Sequence, residues 1–318
     1  GAGTIASGIG LLGASAYLIS LAAIAPTIAP LQVPIVGVRF FGIARGLLRY
    51  LERYTSHDLT FRLLAELRLW FYRALEPLAP ARLLGRQSAD LLSRITADID
   101  ILENFYIRVV SAPLVALPVS LLTALLLGAF HPTLALALLF FHLLAGVAVP
   151  WVIRKLSAQS SRALVTSRAA LNRALVDGIQ GLADLSACRA EGRQAEKITA
   201  WGERVSQAQT SLARLNGLQS ALELWLSQGA MWMVLSLAIP LVEAGRLDGL
   251  YLALLALLTL SSFEAVQPLP LAAAHLESSL QAGARLFEIV DAQPAVTEPS
   301  TPLPAPQQFD LEARRLTF

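Results

Sequence analysis

Charge is what this 318-residue chain has least of, at 15% of its residues, where an ordinary soluble domain carries about a quarter. No Asp, Glu, Lys or Arg occurs from Gly1 to Val38, nor from Val109 to Ile153. With 55% hydrophobic residues, that scarcity excludes a disordered chain and an ordinary cytosolic domain. Cysteine is nearly absent as well. Cys188 stands alone, so no disulfide can form within the chain and a secreted disulfide scaffold is excluded. Cys188 reads as a free, small side chain in a charged stretch. Apolar sequence begins at Gly1 without a basic leader, which is not a cleavable signal peptide and is expected of a chain cut inside or just before its first membrane helix. The net charge of +2 says nothing of nucleic acid, and none is expected as a partner. A mean hydropathy of +0.57 points to a protein that crosses a lipid membrane several times.

A span needs about 20 mostly apolar residues. Gly1–Ala25 supplies the first, and Pro26, Pro30 and Pro34 break the pattern after it. A second begins near Ile35, carries Arg39, Arg45, Arg49 and Arg53, and continues as an amphipathic helix to about Ala79. The third, Val109–Phe130, and the fourth, Leu134–Ile153, are separated by His131-Pro132-Thr133. Leu218–Val242 is the fifth, and Gly249–Val266 begins the sixth. The fold class is therefore all-α, a polytopic membrane protein with six transmembrane helices.

Basic residues orient the spans. The connection 154–214 holds ten of the 25 Lys and Arg residues, and 62–94 holds six more. The opposite connections, 26–34, 130–133 and 243–248, contain only Arg246. Both long connections and both ends are thus expected in the cytoplasm. Neither long connection has the composition of a loop. Leu59, Leu63, Leu67, Trp70 and Ala74 recur at helical spacing, as do Leu164, Leu171, Leu175, Leu182 and Leu185. The helices are expected to run about 20 residues, or some 30 Å, into the cytosol. Channels and simple carriers rarely need such extensions; a protein that reaches a cytoplasmic engine does. Residues 291–310 contain Pro294, Pro299, Pro302, Pro304 and Pro306, a linker composition. Leu311–Phe318 reads as the opening strand of a further domain.

Within the spans, Arg53 and His57 are four apart and share a helix face. Arg108 begins the third span, and an arginine at membrane depth faces a partner or a cavity. The bland alternative pairs Arg53 with Glu52 or Asp58 and leaves His57 solvated. Glu223 and Glu264 are intramembrane carboxylates, expected to face the bundle interior as a polar lining of a substrate path or as interhelical hydrogen bonds. His131 reads as a turn residue, His142 as a packed and hydrogen-bonded one, and His275 as solvated. Ala6, Gly10 and Ala14 form a small-residue ridge for close packing. Met231-Trp232-Met233 reads as packing or membrane interface, not as a soft metal site.

Four segments carry a family resemblance. Gly85 to Asp100 (GRQSADLLSRITADID) resembles the first intracellular loop of the ABC exporter superfamily, and Leu175–Leu182 with Glu191-Gly192-Arg193 resembles the second. Arg285-Leu286-Phe287-Glu288-Ile289 resembles the segment before the nucleotide-binding domain, and Leu316-Thr317-Phe318 its start. The resemblance implies the transmembrane domain of a type 1 exporter over residues 1–290, a linker over 291–310 and the start of a nucleotide-binding domain at 311–318. The phosphate loop G-x-x-x-x-G-K-[ST] does not occur in these 318 residues. ATP and Mg are thus expected on a domain outside them, and the ATP-dependent translocase only in the longer protein. Coupling to nucleotide-binding domains is expected at Gly85–Leu92, with Asp90 and Leu91, and at Asp177–Ala187, with Asp184 and Leu185.

A narrower match lies in Gly37-Val38-Arg39, in Arg49 to Asp58 (RYLERYTSHD) and in Tyr106-Ile107-Arg108-Val109. It resembles the C subunit of the heterodimeric bacterial thiol exporters, of cysteine and glutathione, needed for cytochrome bd assembly. That implies a second half-transporter subunit as partner, the bacterial inner membrane as location, and haem b held by His57 as iron ligand. Arg53 and Arg108 would clamp the propionates, and Tyr54 and Tyr106 would wall the pocket. A generic lipid, drug or peptide exporter half is the alternative. A b-type haem protein without transport is the distant one, since it would need paired His ligands on neighbouring spans.

Overall fold

The computed structural model describes residues 1–24, 27–80 and 94–294. Every regular element among them is helical. Helix α1 is Ala2–Ile24 and α2 is Gln32–Leu75, flanked by 3-10 turns at Ala29–Leu31 and Glu76–Leu78. After α3 (Ile99–Asn104) and a π-turn at Phe105–Val110 come α4 (Ser111–Gly128) and α5 (Pro132–Leu143). A π-turn at Leu144–Ala148 leads into α6 (Val149–Gln180), followed by the short α7 (Leu182–Ala187) and α8 (Glu191–Glu243). Helix α9 (Tyr251–Ser262), a 3-10 turn at Phe263–Ala265 and α10 (Leu269–Val290) complete the described elements. Six of the resulting helical runs are long and apolar enough to cross a membrane, as the sequence predicts. The protein is a multi-pass membrane protein.

Local chemistry sets the breaks. His131 caps α5, its Nδ1 accepting from the Thr133 N–H, with Pro132 at the first helical position where a missing N–H costs nothing. Gly245 ends α8 with φ of 68°, a left-handed geometry that favours glycine, while the Arg246 N–H bonds back to the Leu241 carbonyl at 2.8 Å. At 53 residues α8 is about 80 Å long, far beyond the membrane. It lies against α6, with α7 at the tip of this hairpin.

Two cores hold the helices. The membrane core gathers Ile9, Val119, Leu127, Leu134, Leu138, Val234 and Leu255, each almost fully buried. Small residues let the helices close. A Cβ on Gly10 would come 2.6 Å from the Phe41 ring, and one on Gly146 would come 2.7 Å from Leu269. His142 is buried between Ser120 and Ser262, 2.9 Å from each hydroxyl, which fits the packed role read from sequence. The second core packs Phe71, Leu75 and Leu78 against Ile99, Leu286 and Ile289. Arg285 clasps the buried Asp98 with two hydrogen bonds, at 2.9 and 2.5 Å, and Arg94 pairs with Glu288 at 3.1 Å. The start of the helical run of the third span is thereby tied to the end of that of the sixth. The first coupling segment with Asp90 and Leu91, residues 295–310 of the linker and the strand at 311–318 lie outside the described residues.

Candidate functional site

Helix α2 differs from every other span. None of the residues in its most apolar 18-residue window is buried, and its only extensive neighbour in the membrane is α1. Yet this is the helix that carries Arg39, Arg45, Arg49 and Arg53. The last three and His57 are spaced by four residues each, a basic stripe about 18 Å long on one helix side.

The inner part of the stripe borders a groove of about 380 Å³ lined by Tyr50, Arg53, Tyr54, His57, Asp58 and Phe61. Tyr50 and Tyr54 stack with ring centroids 6.4 Å apart, and His57 and Phe61 at 6.3 Å. Arg53 is not tied to either neighbouring carboxylate. Glu52 instead accepts from the Thr4 hydroxyl at 2.7 Å, and Asp58 pairs with Arg62 at 3.0 Å. Among the described residues, no carboxylate lies within ion-pair distance of Arg53. Arg53 and His57 therefore meet in one groove, as their spacing predicts. Arg108 and Tyr106 do not line it. The Arg108 Nη1 instead lies 3.4 Å from the His275 ring. His275 is thus half-buried against a cation, a correction to its reading as solvated. Partial desolvation and the Arg108 charge both hold its pKa below the usual histidine range.

The groove's chemistry suits one side of a haem: an exposed imidazole for the iron, a guanidinium without a carboxylate partner for a propionate, and aromatic rings for the macrocycle. No group of three or more His, Cys, Asp and Glu side chains fit to hold a metal ion occurs among the described residues.

The outer part of the stripe was not foreseen as a site. Arg45 Nη2 contacts Glu264 at 3.2 and 3.3 Å, and Arg49 approaches the same carboxylate at 3.7 Å. Glu264 thus joins the sixth span to the second, across 219 positions of sequence. Glu223 accepts from Gln219 at 3.0 Å and borders a small crevice with Ala145, Phe263, Val266 and Gln267. The two carboxylates face different partners, and only Glu264 meets basic residues.

At the far end, α7 projects from the hairpin tip. Leu182 and Asp184 are exposed and Leu185 is half-buried. Val176, Asp177 and Ile179 on the adjoining turn of α6 are exposed too, so the tip carries apolar side chains beside two acids, Asp177 and Asp184.

Six candidate spans and a long helical hairpin define the membrane domain of a transporter. Residues 8–263 match the family described as the ABC transporter transmembrane region, and the chain belongs to that family. It is similar to the glutathione/L-cysteine transport system ATP-binding/permease protein CydC of Escherichia coli, at 30% identity over 99% of this chain and 56% of that protein. The protein of the same name from Haemophilus influenzae is also 30% identical, over 92% of this chain and 51% of its own length. CydD of Bacillus subtilis is 31% identical over 58% of this chain and 32% of its own. The chain spans about half the length of the CydC relatives it matches.

Proposed function

We propose that the chain is the transmembrane half of an ATP-driven exporter of cysteine and glutathione, working beside a second, similar subunit in the bacterial inner membrane with both ends in the cytoplasm. The observation that carries this reading is the α6–α8 hairpin, which holds the exposed α7 far from the membrane core. Likeness to both CydC and CydD supports a pair of related halves. Residues 1–290 form the membrane domain, 291–310 the linker, and 311–318 open the nucleotide-binding domain that holds ATP and Mg. Force passes through Asp90 and Leu91 in the first excursion and through Asp184 and Leu185 on α7, which dock on nucleotide-binding domains.

The test uses the full-length heterodimer in lipid nanodiscs and proteoliposomes. Leu185→Arg places a basic charge among the apolar side chains of the tip, so ATP hydrolysis is expected to persist while cysteine and glutathione export stops. Export at the wild-type ratio of transport to hydrolysis would overturn the assignment of α7.

Haem belongs to the same proposal. When bound, it would supply an iron centre, with His57 as its ligand and Arg53 against a propionate. Arg108 can serve as the second clamp only by leaving His275. The full heterodimer is expected to show a Soret band that His57→Ala shifts or abolishes. Arg53→Ala should weaken affinity about 10- to 150-fold, as expected for one charge-assisted hydrogen bond. An unaltered band and affinity in His57→Ala would remove haem from this groove and leave the exporter assignment standing.

A further inference from the structure

We propose that Arg45, Arg49 and Glu264 form the site that recognises the carboxylate and ammonium groups of the exported amino acid or peptide; this rests on the thiol-export reading above. Depth is the first argument. Arg45 lies 13 residues after the start of α2, and Glu264 lies 13 residues after the start of α9. Both are therefore about 20 Å from the same side of a core roughly 30 Å thick. The charges meet inside the membrane, not at its rim.

The second argument is charge. Two guanidinium groups share one carboxylate, which leaves the triad with a surplus positive charge at a depth where arginine costs a few kcal/mol unless it meets water or a partner. Arg45 is the fixed member. Its guanidinium rests on Gly8, where a Cβ would come within 3.2 Å, and both its Nη2 contacts go to Glu264. Its Nε is buried and has no acceptor among the described residues. Arg49 is the reachable member, with 64% of its side chain exposed, and Glu264 is 38% exposed. None of the residues in the apolar window of α2 is buried either.

The third argument is the match of signs. An incoming carboxylate gives each guanidinium a carboxylate of its own, with Arg49 presenting a planar fork to it. Glu264, freed from half its load, then faces the ammonium of the same molecule. Cysteine and glutathione carry both groups. A cavity for simple anions would have no use for Glu264, and a single acidic side chain of a neighbouring subunit would use only half the triad. Glu264 sits on the 3-10 turn between α9 and α10, just before Pro268 and Pro270, so the acid is carried at a break in the helix and not in a rigid rod.

The experiment measures glutathione-stimulated ATP hydrolysis by the purified full-length heterodimer in nanodiscs, with glutathione and its diethyl ester as probes. The wild type is expected to need at least about tenfold more ester than acid for half-maximal stimulation. In Arg49→Gln that ratio should fall toward one. In Arg49→Lys, which keeps the charge but loses the fork, it should lie between. Glu264→Gln should erase the preference for cysteine over N-acetylcysteine. A wild-type ratio retained in Arg49→Gln would overturn the site and leave thiol export intact. Loss of heterodimer assembly in Arg49→Gln, with wild-type protein treating acid and ester alike, would overturn it in favour of a carboxylate on the partner. Wild-type protein that responds to neither cysteine nor glutathione would overturn the export reading and this site with it.

Discussion

The second and sixth spans have similar lengths of apolar sequence and opposite surroundings. Half of the residues in the apolar window of the sixth span are buried, and none of those in the second. The sixth sits among α1, α4 and α8, while the second leans mainly on α1. Charge follows the same division: four arginines on the second, one carboxylate on the sixth, and an ion pair where they meet. A span without buried residues that carries arginines is not finished by its own chain. It is the side on which water, cargo or another subunit must lie, because hydrocarbon would leave those guanidinium groups unsolvated.

The largest effect should come from removing packing at the buried end of that contrast. Leu255 is fully buried in the membrane core, whereas Ile43 on α2 is 74% exposed. Leu255→Ala is expected to cost about 2–5 kcal/mol through the cavity it leaves, and Ile43→Ala less than about 0.5 kcal/mol. Thermal unfolding of the purified protein in detergent would read both, and equal losses would break the contrast.

A smaller effect is expected where the two regions are joined by close approach. Gly10→Ala puts a methyl group into the Phe41 ring and should cost about 1–3 kcal/mol. Gly46, with open space around it, should tolerate alanine and gain slightly in helix propensity. A stability screen that ranked these two in the reverse order would show that α1 and α2 do not pack as described.

The smallest effect concerns pH at the contact of His275 with Arg108. The His275 pKa is depressed, so its neutral form is favoured in the folded protein. That contribution is present above the unfolded value of about 6.5 and is lost as pH falls below it. Wild-type protein should therefore lose slightly more unfolding temperature than His275→Gln between neutral and mildly acidic pH. An identical pH dependence in both would mean that the Arg108 contact is energetically silent.

The number of spans and the helical character of the long connections, as far as they are described, were legible in the sequence, because length and periodicity of apolar residues report directly on burial in lipid or against a neighbour. The shared groove of Arg53 and His57 was legible for the same reason, since residues four apart on a helix must share a side. Arg108 was not. Its spacing from His57 says nothing of direction, and the π-turn at Phe105–Val110 helps set where its side chain points.

By itself the sequence determined what each helix is: how long, how apolar and on which side charged. Only the tertiary structure decided which charges meet. Arg45 has no acid three or four residues away on its own helix, and the choice of Glu264 among the more distant acids comes from two helices entering the membrane on one side and being packed about α1. Local spacing is fixed by the geometry of the backbone hydrogen bonds. Pairing across 219 residues is fixed by which apolar faces close on one another, and small residues such as Gly8 and Gly10 let them come that near.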